Sequence, residues 1–232
     1  MFGISNFESF FLTYIFNYFY YLDCIGLALP LIIIFFNKNR VSLAFKKSFS
    51  LFYLLYFLAS LLATILYDVF DKSNTWVYNV IPILIIVPLY IFFRKVPQTP
   101  IGYAVSKIAF VCFIGVYIFT FPQLTKKFLS PTYYLLLAFY IMFNSVSYLI
   151  KEIVTMREGV ILRKQEFWFV ISIFYYASAC VIVWSAFSYL ERNNIPNIRV
   201  NPSVLWVICH NTVLFIQCLV FSIMLVLIPN QK

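Results

Sequence analysis

Charge is what this sequence has least of. Only 11% of its 232 residues are Asp, Glu, Lys or Arg, against 63% hydrophobic residues and a mean hydropathy of +0.92. A soluble domain carries about 25% charged and about 45–50% apolar residues. No single core of this size buries such a surplus, so the bilayer has to solvate most of the chain. Histidine occurs once, at His210, which excludes a multi-histidine metal site and a zincin of the HExxH type. There is no Walker A loop, and the last apolar run has no lysine for a retinal Schiff base. The expectation is a non-enzyme with no catalytic residues, no cofactor and no metal. Glycine is also scarce, at 5, whereas Phe reaches 28 and Tyr 18, a bias that AT-rich codons produce. Cys24, Cys112, Cys180, Cys209 and Cys218 all fall in apolar runs, where they act as small apolar residues and imply no disulfide framework.

What is present is a series of apolar runs separated by charges, prolines and polar clusters. They cover about 17–36, 49–67, 76–93, 101–121, 132–150, 167–190 and 203–228. About 20 residues cross a hydrocarbon core of ~30 Å, so each run is long enough to span. The expected fold is all-α, a polytopic helical bundle of about seven spans forming one transmembrane domain over 1–232. The opening MFGISNFESFF has neither a basic n-region nor a small-residue cleavage site, so no removable signal peptide is expected. Aromatic residues from Phe10 extend the first run upstream and leave room for an interfacial helix before it. Pro30, Pro82 and Pro88 lie inside runs and predict local kinks, because proline lacks the N–H that closes the preceding turn.

The net charge of +9 sits in the connections beside the spans, the pattern of anionic lipid and cytoplasmic loops rather than of nucleic acid. The loops after spans one, three and five, together with Lys232, hold 11 of the 17 Lys and Arg residues, and the opposite side holds 5. The asymmetry predicts an outside N-terminus and a cytoplasmic C-terminus. The longest polar stretch, KEIVTMREGVILRKQE over 151–166, suits a helical extension of span five or a docking surface. Lys151, Arg157, Arg163 and Lys164 are its candidate partner contacts. Only four residues follow the last run, so any output is expected from a separate partner or from the subunits of a membrane complex.

Ionisable residues at membrane depth are costly and therefore candidates for function. Asp23 lies about 9 Å and His210 about 10 Å inside the same boundary, at 1.5 Å per residue. Spans one and seven are neighbours in a closed bundle, so the two residues are expected to face each other across an outward-facing polar pocket. There they would sense protons or hold a ligand. Lys107 is close enough to a boundary to snorkel. Polar stripes recur at helical spacing: Tyr140, Asn144, Ser147 and Lys151 in span five; Tyr175, Ser178, Ser185 and Ser188 in span six; Trp206, His210 and Gln217 in span seven. Such faces make interhelical hydrogen bonds or line a cavity. The candidate polar pocket is Asp23, His210, Asn211, Gln217, Asn144 and Tyr175.

Phe167-Trp168, followed by Tyr175-Tyr176 and Ser178, resembles span six of the seven-helix modules that precede sensor kinases in some Bacteroidetes. Leu205-Trp206 with His210-Asn211 is similar to the last span of those modules, which also occur as stand-alone copies. The resemblance implies a sensory or scaffold role without chemistry in this chain, a bacterial inner membrane as its location, and a separate cytoplasmic kinase docking on the cytoplasmic loops. Two other readings stay open. A small-solute transporter fits the proline-rich third span, and a structural subunit of a larger membrane complex fits the lack of a sharp motif.

Overall fold

The computed structural model describes residues 16–36, 41, 43–124, 130–155, 161–193 and 202–228. Among them are eight α-helices: α1 (Phe16–Tyr20), α2 (Leu22–Phe36), α3 (Leu43–Asp68), α4 (Thr75–Phe93), α5 (Pro100–Leu124), α6 (Pro131–Thr155), α7 (Gln165–Asn193) and α8 (Pro202–Leu227). A single 3-10 turn, Ile161–Arg163, lies between α6 and α7. Seven helical stretches are long and apolar enough to cross a membrane, the first running from Tyr18 through α1 and α2 to Phe36. The chain is a multi-pass helical bundle.

Six spans close into a ring. α2 packs on α3, α3 on α4, α4 on α6, α6 on α7, α7 on α8, and α8 returns to α2. The first and last spans are thus neighbours. Their close approach falls at Gly26, where a Cβ would lie 3.1 Å from the Phe215 Cα. α5 stands outside the ring against α4 and α6, and it is the least buried span. Its tightest contact is at Gly102, where a Cβ would overlap the Ser147 hydroxyl. Lys107 lies on the exposed face of α5, the placement that snorkelling requires.

The helices run unbroken through Pro30, Pro82 and Pro88. Proline at 82 leaves the carbonyl of Tyr78, four residues earlier, without its helical donor. The Tyr134 hydroxyl from α6 donates to that carbonyl at 2.7 Å. A neighbouring helix thereby satisfies the freed backbone group, as the absence of water inside a bilayer demands. At the end of α3 the Lys72 N–H reaches back to the Leu66 carbonyl at 2.9 Å, and Asp71 takes the left-handed φ of 48° that such a helix stop needs.

Helix bounds differ most from the sequence expectation at the end carrying the 94–99 and 151–164 connections. There α3 begins at Leu43 rather than near 49, and α6 continues to Thr155 rather than ending near 150. The extension of α6 is helical because its charge is matched. Glu152 is 2% exposed and pairs with Lys164 Nζ at 2.9 Å, clamping the α6–α7 hairpin.

Candidate functional site

The first span is interrupted at Tyr21, and the cause is a side chain competing with the backbone. In a continuous helix the Cys24 N–H would bond the Tyr20 carbonyl. It bonds Asp23 Oδ1 instead, at 2.7 Å. The Tyr20 carbonyl then accepts from Asn211 Nδ2 at 3.4 Å, and the Phe19 carbonyl accepts from the same nitrogen at 3.1 Å.

That capping interaction fixes the direction of everything beyond it. With its nitrogen committed to two carbonyls, Asn211 presents Oδ1 to His210 Nδ1 at 3.1 Å, so Nδ1 carries the hydrogen. A neutral ring is then an acceptor at Nε2, where the Tyr176 hydroxyl donates at 2.9 Å. Tyr56 lies 3.1 Å from the Tyr176 oxygen and 3.5 Å from Nε2, and donates to the former. The imidazole is walled by Tyr134 and Trp184, which stack on each other at a centroid distance of 4.2 Å and meet His210 edge-on. Since Tyr134 also holds the Tyr78 carbonyl, this hub joins α1, α3, α4, α6, α7 and α8.

Asp23 and His210 are each 2% exposed, so they belong to a buried cluster rather than an open outward-facing pocket. His210 is engaged by Asn211, Tyr176 and Tyr56, and Asp23 by the Cys24 N–H. They share neighbours: Tyr56 and Tyr134 both contact His210 and both lie within electrostatic reach of Asp23.

Gln217, seven residues or roughly 10 Å further along α8, forms a second polar layer. Its Nε2 donates to the Tyr53 hydroxyl at 2.8 Å and to Ser172 Oγ at 3.2 Å, while its Oε1 accepts from Cys218. Beyond it the core turns apolar. Phe169 has Phe49, Phe92 and Phe221 around it at centroid distances of 4.7, 4.8 and 5.1 Å.

Asn144 belongs to neither layer. It accepts from Gln98 Nε2 at 3.0 Å and donates to the Tyr140 carbonyl at 2.8 Å. Ser147 meets Thr99 at 3.1 Å and Tyr140 meets Ser106 at 3.3 Å. This stripe is therefore the seam of α6 with α5 and the connection before it. Tyr175 faces the other way from the pocket expected of it, with 46% of its surface exposed, and Ser185 is exposed as well. The inward residue is Tyr176, at 4%. One residue is a rotation of about 100° on a helix, enough to turn the stripe from core to lipid.

Among the proposed partner contacts, Lys164 is engaged by Glu152, Arg163 is exposed and Lys151 is half-buried. Arg157 and the Trp206 side chain lie outside the described residues. The α5–α6 interface also opens a cavity of about 270 Å³, lined chiefly by Val105, Ala109, Phe113, Leu136, Phe139 and Phe143. Sequence reasoning missed Tyr56, Tyr134, Tyr176 and Trp184. The sequence signal for Tyr134 was Pro82, whose missing N–H requires a donor from a neighbouring helix. Comparison with known proteins gives no matching family, no matching curated protein and no matching solved structure.

Proposed function

We propose that this chain is a non-enzymatic seven-helix module that senses or scaffolds through a separate cytoplasmic partner. It sits in the bacterial inner membrane with its N-terminus outside and its C-terminus inside, the orientation that the excess of basic residues in alternate loops supports. The observation that carries the reading is the hub around His210. One imidazole is tied by directional hydrogen bonds and ring contacts to α3, α6, α7 and, through Asn211, to α1. A ligand or partner that alters one of those bonds alters helix positions around the ring, and α6 and α7 end in the basic hairpin where a partner would dock. Arg163 is exposed there, while Lys164 serves the fold through Glu152. The resemblance of spans six and seven to modules that precede sensor kinases points to the same use.

Purification of the tagged chain in mild detergent from its native host tests the reading. A kinase or regulator should co-purify in stoichiometric amount and be lost from an Arg157→Glu, Arg163→Glu variant. A chain that purifies alone and carries solute flux in proteoliposomes overturns the proposal in favour of transport. A second reading, a structural subunit of a larger complex, is favoured by the apolar α5–α6 cavity on the flank of the ring. Co-purification of integral membrane subunits in place of a signalling protein would select it.

A further inference from the structure

α5, outside the ring, is pinned to α6 at both ends of their contact. Near the basic end Gly102 lies against the Ser147 hydroxyl, which also meets Thr99 at 3.1 Å. Toward the other end the rings of Tyr117 and Tyr133 meet at a centroid distance of 5.4 Å, and the Tyr133 hydroxyl donates to Thr120. Between these pins the two helices part on their outer side and leave the groove of about 270 Å³. Phe113 and Tyr140, 5% and 4% exposed, form its floor, and Phe139 and Phe143 stand exposed along its α6 edge. The Tyr140 hydroxyl is engaged with Ser106 at 3.3 Å, so Tyr140 offers the groove its ring rather than its oxygen.

The groove runs from Val105 to Val116 on α5, about 16 Å at 1.5 Å per residue, and lies within a span. Its occupant is therefore a component of the bilayer or part of a membrane partner. An apolar lining does not hold water, and an empty groove leaves its walls without contact partners on one side. A helix 10 Å across would need roughly 1,300 Å³ over the same length, several times the space between α5 and α6. A protein partner can insert a side chain there but no backbone, whereas a single hydrocarbon chain follows the groove from end to end. Charge marks the end at which its headgroup lies. Lys151 stands on α6 one turn beyond Ser147 and about 12 Å past Phe143. It is half-buried and has no ion pair among the described residues. Basic residues at such a boundary attract anionic headgroups.

We propose that the α5–α6 groove binds one acyl chain of an anionic phospholipid whose phosphate is held at Lys151. The inference goes beyond the module reading and gives Lys151 to lipid, leaving Arg157 and Arg163 for a cytoplasmic partner. The test is native mass spectrometry of the full-length chain, reconstituted in equal phosphatidylglycerol and phosphatidylcholine and then extracted in mild detergent. One phospholipid per chain should be retained, with phosphatidylglycerol preferred. Ala109→Phe, which fills the groove from α5, should abolish retention. Ala109→Leu should reduce it, and carries the test if Ala109→Phe does not fold. Lys151→Gln should keep the lipid but lower the preference about fivefold, the share of one lysine at an anionic surface. Ile182→Phe, on the exposed face of α7, should leave both retention and preference unchanged. No retained lipid in the wild-type chain, equal retention of the two lipids, retention undiminished by either Ala109 substitution, or a membrane subunit bound in the lipid's place overturns the proposal.

Discussion

The two halves of the ring interior are built on different principles. Toward the basic end, Phe169 fills the space between Phe49, Phe92 and Phe221, and nothing there depends on which atom donates. Toward the opposite end α3, α7 and α8 contribute Tyr56, Tyr176 and His210, walled by Tyr134 of α6, and the bonds run in one sense from Tyr56 to the carbonyls of α1. In a bilayer lipid tails are as apolar as phenylalanine, so the first half is held by close packing, and the second adds hydrogen bonds with defined partners. Shape fixes how the helices approach at one end. Directional bonds fix which helices meet, and with what rotation, at the other.

Three substitutions probe that contrast. The largest effect is expected from Phe169→Ala, which leaves a void among the rings of Phe49, Phe92 and Phe221. Part of the usual cost of truncating a buried aromatic is transfer from water, which the bilayer removes, so the expected loss is about 2–4 kcal/mol in reversible unfolding in mixed micelles. A loss below that of any hub substitution would mean that the apolar half does not lead in stability.

The next effect belongs to Tyr134→Phe, which strips the Tyr78 carbonyl of its donor at a cost of about 1–2 kcal/mol. Pro82→Ala restores a helical N–H to that carbonyl, so the penalty of Tyr134→Phe should shrink in the Pro82→Ala background. Additive losses in the double-mutant cycle would show that the Tyr134 hydroxyl does not act through the carbonyl freed by Pro82.

The smallest effect separates adjacent tyrosines. Tyr176→Phe removes the donor to His210 Nε2 and should cost about 1 kcal/mol, in the range measured for hydrogen bonds between membrane helices. Tyr175→Phe on the outer face should change stability by less than about 0.5 kcal/mol. Nitrogen NMR of the single histidine should meanwhile report hydrogen on Nδ1 in the wild type. Hydrogen on Nε2 instead would reverse the sense of the whole chain of bonds.

Much of the architecture was legible in the residues themselves. Seven apolar runs of spanning length are a statement about solvation, and composition alone supports it. The inward placement of His210, Asn211 and Gln217 was readable too, because a polar residue in a span turns from lipid when a neighbour can take its hydrogen bonds. Two things were not readable. With 18 tyrosines in the chain, a hydroxyl carries no signal of its own, and the choice between Tyr175 and Tyr176 depends on a helix rotation set by Trp184 and Phe169 further along α7. The exclusion of α5 from the ring was equally hidden, since its hydropathy matches that of its neighbours.

Closure of the ring through α2 and α8 has a consequence for how the chain is made. Spans enter the membrane in order of synthesis, yet the carbonyls of Phe19 and Tyr20 wait for Asn211 on the last of them. Until α8 is inserted, the interrupted first span keeps those two carbonyls without Asn211, in contact with lipid or with the insertion machinery. Of the seven spans, the first to be made is thus the last to be completed.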